Sequence, residues 1–386
     1  MVPVKDADPV LIGNKVESTI PYLMSDEFVV DAKEDGKVVE ISDGFCIVEY
    51  KSGKHQAINI GNRAQKNASA GFWIDNTLTT DLKVGDKFKA GDILAYNSKH
   101  FSRNAEDNGA SMNLGVLCKI AISSQWDVFE DSAPISKRLS EKLATDMVEE
   151  KAVEFSPYTY IDYIAKIGDQ IKAGDPLIIF SDASNEEMQR LLAGTREETK
   201  DSVIESAKTS ISSKYTGEII DIKVYTTSEL ADLDPSLKKI VTDYWNRIKK
   251  RNNLLSKYSN EGDLEYYKAG QVIDEIAEVI ETSKNNKIKG VEIPDGHVLI
   301  QFYIKYTSAA SKGDKVTVSV CKGIISHVFD EGMEPYSEYR PDEPIDTIVA
   351  PLAVAARKVP AIFLTIFGNK LLIELKRQLE DIYNKG

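Results

Sequence analysis

Three cationic side chains in the C-terminal quarter of the chain have the types and spacing of a phosphate-binding group. Lys315 and Lys322 lie close together among residues that favour strands, and Arg357 follows an otherwise apolar segment. Three cations held by buried strands would bind polyanionic phosphate, because ammonium and guanidinium groups pair with phosphate oxygens. A simpler interpretation also fits. Gly-Asp-Lys is a common β-turn, and an arginine beside an apolar run can cap a helix or reach solvent.

Two adjacent carboxylates, Glu130 and Asp131, form a second candidate group within the sequence F-E-D-S-A-P-I-S. Neighbouring side chains on a strand point to opposite faces, so this pair cannot act as a simple acid–base dyad. Asp131 and Ser132 can equally form a turn or a helix cap. The residues themselves leave these two interpretations open.

Composition limits the function classes. The chain has 386 residues, of which 42% are hydrophobic and 28% charged, enough for more than one domain. Its net charge of −13 counts against a free-standing nucleic-acid binder, but less against one subunit of a large complex. Three widely spaced cysteines and four histidines predict neither disulfides nor zinc, and they fit the cytoplasm. No apolar run is long enough to span a membrane, and no secretory signal is visible.

An internal repeat predicts paired β modules. Lys83 to Ala95 reads K-V-G-D-K-F-K-A-G-D-I-L-A, and Lys166 to Ile178 reads K-I-G-D-Q-I-K-A-G-D-P-L-I. Each predicts strands separated by Gly-Asp turns, because glycine reaches turn dihedrals that other residues avoid. Each copy has a matching strand, Asp35 to Ile41 or Thr216 to Ile222. Such units form small barrels of the barrel-sandwich hybrid kind, as in biotinyl and lipoyl carriers.

Helical periodicity appears between and after these modules. Predicted helices begin after Ser136 and cover Asp234 to Tyr258, Leu264 to Ser283 and Pro360 to Glu380, and Asn185 to Ala207 is read as a helix with a mobile loop. The second and third should form a protruding antiparallel pair. Its basic run, Lys249 to Arg251, is either a docking surface or, more simply, a solvated helix face. From Val291 the pattern returns to strands.

Several of these segments, in the same order, resemble the β subunit of multisubunit DNA-dependent RNA polymerases. G-D-K followed by K-G-I-I-S and P-I-D-T-I-V-A-P-L-A-V-A-A-R is similar to that subunit's double-psi β-barrel segment. F-E-D-S-A-P-I-S resembles its F-E-D-A/S-I-L-I-S, and A-D-P-V-L-I-G-N-K-V-E resembles its A-P-L-V-G-T-G-M-E. N-R-A-Q-K-N with the following D-L-K-V-G-D-K-F-K-A-G-D-I-L-A resembles its R-S-N-Q stretch and the repeat after it.

The resemblance implies a mainly β fold with α insertions (α+β). It would contain small barrel-sandwich-hybrid-like modules, a flap with a helical pair and a double-psi β-barrel. The implied segments are 1–150 for a first β module with the wall and the start of the barrel region, 151–290 for the flap-like module, 291–358 for the rest of the barrel, and 359–386 for a C-terminal helix.

The resemblance also implies roles for individual residues. Lys315 and Lys322 would reach the RNA 3′ end and the nucleotide, and Arg357 would contact the incoming triphosphate. Arg63 or Lys66 would provide a second phosphate contact. Glu130 and Asp131 would lie near the active centre, where one touches a magnesium ion through water.

Departures from the family pattern shape the expected partners. The family reads G-D-K-x-A-G-R-H-G-N-K-G, whereas this chain has G-D-K-V-T-V-S-V-C-K-G, one residue shorter and without the arginine, the histidine and two glycines. The magnesium-binding D-F-D-G-D of the β′ partner does not occur. The chain is therefore expected to be the C-terminal portion of a split β subunit, as giant bacteriophages encode, and inactive alone. Expected partners are an N-terminal β fragment, β′ or its fragments, Mg²⁺, DNA template, RNA and nucleoside triphosphates, with a promoter-specificity factor possible on the flap.

Two alternatives remain. The degraded G-R-H-G-N region fits a polymerase-derived scaffold that lost its active centre. The Gly-Asp repeats fit a biotinyl- or lipoyl-like carrier, although no lysine for modification lies between the paired strands.

Overall fold

The computed structural model describes residues 4–66, 72–104, 107–125, 128–182, 208–259, 287–288, 291–318, 321–356 and 358–385. Arg357, the predicted helix Leu264 to Ser283 and the polar region Asn185 to Ala207 lie outside these residues. The part that is described is mainly β with few helices, as the sequence predicts.

Short strands make up most of the described structure. In chain order they are β1 Val29–Asp31, β2 Gly36–Ser42, β3 Phe45–Tyr50, β4 His55–Asn59, β5 Ala64–Lys66, β6 Trp73–Asp75, β7 Lys87–Phe88, β8 Ile93–Tyr96, β9 Phe101–Arg103, β10 Ala110–Met112, β11 Ile120–Ile122, β12 Ser132–Ile135, β13 Thr145–Phe155, β14 Thr159–Ile164, β15 Gln170–Ile171, β16 Pro176–Asp182, β17 Thr209–Ser212, β18 Gly217–Thr226, β19 Lys287–Ile288, β20 Val291–Glu292, β21 Val298–Ser308, β22 Lys315–Val318, β23 Cys321–Val328, β24 Tyr336–Ser337, β25 Arg340–Pro344 and β26 Thr347–Val349.

The described helices include two of 25 residues each. They are α1 Val16–Thr19, α2 Lys137–Lys142, α3 Pro235–Ser259, α4 Pro351–Ala356 and α5 Ala361–Lys385, with a 3₁₀ turn at Ile20–Leu23. The predicted helices near 234–258 and 360–380 are confirmed as α3 and α5. The predicted helix start after Ser136 is confirmed as α2, whose Leu139 N–H donates to the Ser136 hydroxyl at 3.0 Å.

The chain forms two compact units, and each is discontinuous in sequence. The first unit comprises Met1–Phe28, Asn97–Asp146 and Thr307–Gly386, and the second comprises Val29–Tyr96 and Met147–Tyr306. The predicted division into four consecutive segments stays a prediction.

The second unit is built on sheets with apolar inner faces. A six-stranded sheet has the order β15-β18-β21-β13-β6-β5, a four-stranded sheet has the order β4-β3-β2-β7, and a three-stranded sheet has the order β14-β16-β17. The largest cluster of buried side chains includes Leu177, Ile219 and Phe302 from three strands, each fully buried. Burial of these side chains, at roughly 1.5–3 kcal/mol each, is the main stabilising contribution of the unit.

The predicted internal repeat is confirmed as four copies of one turn. In each copy a main-chain N–H donates to the carboxylate of an aspartate three residues later at 2.7–2.8 Å, and the intervening glycine has a φ of 89–95°. The glycine N–H donates to the carbonyl of one residue in, or directly after, a neighbouring strand, and the aspartate carbonyl accepts from the N–H of that same residue, at 2.7–3.0 Å. The four aspartates are Asp86, Asp92, Asp169 and Asp175, and their neighbours are Val38, Ala32, Ile219 and Ser213. Each Gly-Asp pair therefore fastens one strand to the next.

Helix α3 begins where the sequence predicts. The Asp234 carboxylate accepts a hydrogen bond from the Ser236 N–H at 2.8 Å, and Pro235 occupies the first helical position, where no N–H is needed. Leu237, Val241 and other apolar side chains of one face then enter the main core cluster of the second unit. The helical spacing of these residues is what buries them together.

The second half of α3 does not protrude, so that prediction is wrong. Leu254 and Leu255 are buried against Phe45 and Ile47 of β3, within the same unit. This contact joins residues about 200 positions apart and gives the helix end an apolar partner. The described part of the predicted helical pair is thus packed against the first repeat module.

The basic run of α3 is partly paired with the hairpin formed by β2 and β3. Lys250 Nζ lies 2.7 Å from the Asp43 carboxylate, and the Arg251 guanidinium lies 5.1 Å from the ring centroid of Phe45. The hydrogen bond from Lys250 lowers the pKa of Asp43. Lys249 is exposed and has no described contact to this hairpin.

The first unit contains a mixed five-stranded sheet in the order β11-β26-β12-β23-β22. Strand β12 pairs parallel with β23 and antiparallel with β26, whereas β22 and β23 are antiparallel. Apolar residues of β23 and β26, among them Cys321 and Ile348, pack with α4 and the start of α5. Ile325 packs on Leu139 of α2. This sheet carries the residues on which the functional argument rests.

Among the described helices, none is both long enough and apolar enough to cross a membrane.

Candidate functional site

The β22–β23 hairpin brings the two predicted lysines onto one face. Lys315 pairs with Ile324, and Lys322 pairs with Thr317. Directly paired residues share a face of the sheet, so all four side chains point the same way. The lysines are diagonal neighbours, which places their Cα atoms roughly 7–8 Å apart. The predicted grouping of Lys315 and Lys322 therefore follows from the register.

This face is open to solvent. Lys315, Thr317 and Lys322 are exposed, and Ile324 is 47% exposed. Residues of the other face, such as Ile325, are buried. Among the residues that the structure describes, neither lysine forms an ion pair or a side-chain hydrogen bond. Two ammonium groups on one exposed face repel each other unless an anion lies between them.

The Gly-Asp-Lys sequence forms the turn that its residue types favour. The Ser311 N–H donates to the Asp314 carboxylate at 2.8 Å, and Gly313 has a φ of 96°. The Gly313 N–H donates to the Ile325 carbonyl at 2.8 Å, and the Ile325 N–H donates to the Asp314 carbonyl at 2.9 Å. This is a fifth copy of the turn found in the second unit. Glycine and aspartate serve the turn, and Lys315 begins the strand after it.

Glu130 and Asp131 form the tip of a turn beside this hairpin. The Ser132 N–H donates to the Phe129 carbonyl at 2.9 Å, and the Phe129 N–H donates to the Ser132 hydroxyl at 2.6 Å. Glu130 has a φ of 48°, in the left-handed region that is uncommon for residues other than glycine. The turn interpretation is thus confirmed, and both acidic residues are exposed.

A main-chain contact sets this acidic turn next to Lys322. The Ile324 N–H donates to the Asp131 carbonyl at 2.9 Å. Glu130, Asp131 and Lys322 line one shallow depression. Because Ile324 shares the exposed face with the lysines, the turn and the two lysines form a single mixed-charge surface, which we call the lysine face.

Gly323 makes this close approach possible. A Cβ atom at position 323 would lie 2.5 Å from the Asp131 carbonyl oxygen, a distance that forces the main chains apart. The residue after Lys322 must therefore be glycine if the acidic turn is to contact β23. The glycine next to the lysine is visible in the sequence K-G-I-I-S. The need for glycine there comes from the contact with Asp131, which is distant in sequence.

Asp346 fixes the sheet beneath the lysine face. Its carboxylate is 2% exposed and accepts two hydrogen bonds from Arg138 Nη2, at 2.7 and 2.8 Å, and one from Arg138 Nε, at 3.0 Å. It also accepts from the Lys119 N–H at 2.7 Å and the Ser136 hydroxyl at 3.1 Å. One side chain thus joins the starts of β11, β26 and α2. Sequence reasoning missed Asp346 and Arg138, because they are 208 positions apart.

The other predicted phosphate contacts lie elsewhere or outside the described residues. Arg63 and Lys66 belong to the second unit, where Lys66 pairs with Trp73 and its Nζ lies 5.9 Å from the indole centroid. The Arg63 main chain bonds to Asn76, and its side chain is half-buried. Arg357 lies outside the described residues.

Carboxylate side chains are the protein groups that could contact a magnesium ion here. No group of three or more histidine, cysteine, aspartate or glutamate side chains that could hold a metal ion occurs in the part of the chain that the structure describes. Glu130 and Asp131 offer two exposed carboxylates, and magnesium commonly takes one or two carboxylates together with waters and substrate phosphates. These residues can therefore contact a magnesium ion at most as a minor ligand or through water.

A family match covers the region that contains this surface. The profile of RNA polymerase Rpb2, domain 6, matches residues 108–379. That match spans well over half of the 386 residues, and the chain belongs to this family. It is part of a β-type subunit of a multisubunit RNA polymerase, within whose complex its partners are found. No curated protein matches the chain significantly.

Proposed function

We propose that the lysine face binds the phosphates of the RNA 3′ end and the incoming nucleotide during templated RNA synthesis. The observation that carries this proposal is the pairing of β22 with β23, which places on one face two exposed lysines that form no ion pair with any described residue. They lie within the residues that match RNA polymerase Rpb2, domain 6. An ammonium group suits this task, since it is a compact charge with three donors.

The chemistry assigned to this chain is charge neutralisation and positioning. Phosphoryl transfer develops charge on the transferred phosphate and the leaving pyrophosphate, and cations that are already in place stabilise it without reorganisation. Lys315 and Lys322 would hold the reacting phosphates in line, and Arg357 and the Arg63–Lys66 stretch would add contacts to the triphosphate. Glu130 and Asp131 beside Lys322 would limit binding to ligands that bring a cation with them.

The remaining parts of the site belong to partners in this proposal. Mg²⁺ would be held mainly by a β′ subunit or its fragments and would supply Lewis-acid stabilisation of the phosphates. An N-terminal β fragment, DNA template and RNA would complete the assembly, and a promoter-specificity factor would bind the flap-like module. The first-unit sheet would be part of a double-psi β-barrel, and the chain would be one piece of a split subunit from a giant bacteriophage.

The test uses the assembled polymerase, purified with this chain carrying Lys315→Ala or Lys322→Ala. Each lost charge-assisted contact is worth about 1.5–3 kcal/mol. We therefore expect kcat/KM for nucleotide addition to fall roughly 10- to 100-fold in each variant. Lys322→Arg should retain more activity than Lys322→Ala, because it keeps the charge.

Thr317→Ala is the matched control, since Thr317 lies on the same face opposite Lys322. It shortens a neighbouring side chain without removing charge, and activity should stay within about twofold of the parent. Full activity of both alanine variants, in complexes that still contain the chain, would refute the assignment of the lysines. The alternative of a scaffold without an active centre would then be preferred.

A further inference from the structure

Helix α5 contacts its own unit through isoleucines and ion pairs. Its first turn is anchored by Ile362, which is 5% exposed and packs in the cluster around β26. Beyond that turn Ile366 packs partly on the same cluster, and two ion pairs follow. Arg340 Nη2 lies 2.7 Å from Glu374, and Arg377 Nη2 lies 3.1 Å from Glu343. The side that faces the protein therefore combines isoleucines with ion pairs, whereas a surface helix usually keeps its large apolar side chains on that side.

The opposite side of α5 is an aliphatic and aromatic stripe. Successive residues of a helix are turned by about 100°, so positions three, four and seven apart share a side. Six large apolar side chains follow this spacing and are 50–75% exposed: Leu364, Phe367, Leu371, Leu375, Leu379 and Ile382. We call this set the α5 stripe. It lies within or directly after the residues that match the family, 108–379.

The area of the α5 stripe is that of a protein interface. Six such side chains at these exposures present on the order of 700 Å² of apolar surface, more than the roughly 300–600 Å² of the largest patch on a typical monomer. A standard interface buries about 800 Å² per partner. The stripe alone therefore supplies most of what a stable complex needs.

The α5 stripe already accepts one apolar side chain from elsewhere in the first unit. A Cβ atom at Gly368 would lie 2.5 Å from Cδ1 of Ile12, so Ile12 sits in a notch that the glycine leaves between the leucines. Ile12 remains 41% exposed and Leu11 is 38% exposed. The exposed apolar surface thus continues from the helix onto the segment that contains Leu11 and Ile12.

We propose that the α5 stripe is the docking surface for an apolar helix of another subunit of the polymerase. A helix presents side chains at the same three- and four-residue spacing, which lets ridges of one enter grooves of the other. A second copy of this chain is the less suitable occupant, since two molecules with a net charge of −13 repel each other. Family membership supplies the partner class, and the inference does not depend on the role of the lysine face.

Site-specific crosslinking in the purified polymerase identifies the occupant. The photoreactive residue benzoylphenylalanine replaces Leu371 in one sample and Lys376, which is exposed at the side of the stripe, in another. We expect crosslinks from position 371 to a peptide of another polymerase subunit, at least fivefold above those from position 376. Crosslinks to a second copy of this chain, or no excess over position 376, would overturn the proposal.

Charge insertion provides the second readout. Leu371→Glu/Leu375→Glu should leave the melting temperature of the isolated chain within about 2 °C, because these side chains contact solvent there. In the complex, the same variant should lower retention of the tagged chain on the other subunits at least tenfold in a salt wash. Thr365→Glu/Lys376→Glu, which adds carboxylates to the flank, is the control and should be retained. Equal retention of both variants, or unfolding of the isolated Leu371→Glu/Leu375→Glu chain, would contradict the inference.

Discussion

Replacement of Asp346 by alanine should loosen the sheet that carries the lysine face without touching that face. The variant removes the only carboxylate that accepts from Arg138, Ser136 and the Lys119 main chain in the described contacts. Loss of one member of a buried ion pair costs about 3–5 kcal/mol. The Arg138 side chain is 50% exposed and can turn to water, so the lower end applies. The expected loss is about 3 kcal/mol, mostly from the Lys119 N–H and the Ser136 hydroxyl left without their acceptor.

Hydrogen exchange measured by mass spectrometry reports this loss strand by strand. Peptides covering β11, β12 and β26 should exchange roughly 150-fold faster in Asp346→Ala, since 1.36 kcal/mol corresponds to a factor of ten. Asp346→Asn keeps the shape and one acceptor, and it should show a smaller acceleration. Asp342→Ala is the matched control, because Asp342 is an exposed carboxylate in the neighbouring strand β25. An acceleration below about fivefold in Asp346→Ala would show that Asp346 does not join these strands.

Three further changes test other parts of the structure. Gly323→Ala should lower the free energy of unfolding by about 1–3 kcal/mol in urea, because the new methyl group meets the Asp131 carbonyl, and an unchanged midpoint would show free space there. Burial raises the pKa of Cys46 to about 11, so iodoacetamide at pH 8 should alkylate it in the folded chain about 100-fold more slowly than a free cysteine; equal rates would contradict its burial. Burial alone would raise the pKa of Asp146, but the hydrogen bond and charge of Lys99, together with the Thr307 hydroxyl and Lys5, lower it overall. The stabilisation from the ionised Asp146 carboxylate is therefore present above the ordinary pKa of about 4 and is lost as the pH falls through the lowered value. Asp146→Asn should destabilise the chain at pH 7 and much less at pH 2. An equal loss of stability at both pH values would refute the role of the pair.

Local patterns in the sequence predicted local structure well. The Gly-Asp repeats gave the turns because glycine and a carboxylate at fixed spacing need no distant partner. Helical periodicity gave α3 and α5 for the same reason. The closeness of Lys315 and Lys322 was also predictable, since a hairpin needs only neighbouring residues.

Contacts between distant segments were not predictable in this way. The end of α3 packs on β3, although nothing in its basic run signals an apolar partner about 200 residues earlier. The Asp346–Arg138 pair and the approach of Asp131 to Gly323 likewise join separate segments. A residue pattern states which face of an element is apolar, but not which other face will cover it. Helix α5 is the clearest example, because the sequence predicts its apolar side but its leucines point away from its own unit.

The register of β22 and β23 explains how the shortened motif keeps both lysines on one face. Val318 pairs with Cys321, and two residues lie between them in the sequence. This pairing places Lys315 and Lys322 on the same face. A slip of one residue would turn Lys322 to the inner face, where an unpaired ammonium costs several kcal/mol. Buried Cys321 and Ile325 oppose such a slip, because it would expose them in turn. The elements that the chain shares with the polymerase motif are therefore those that its geometry requires: the Gly-Asp turn, two lysines on one face, and the glycine that admits the acidic turn.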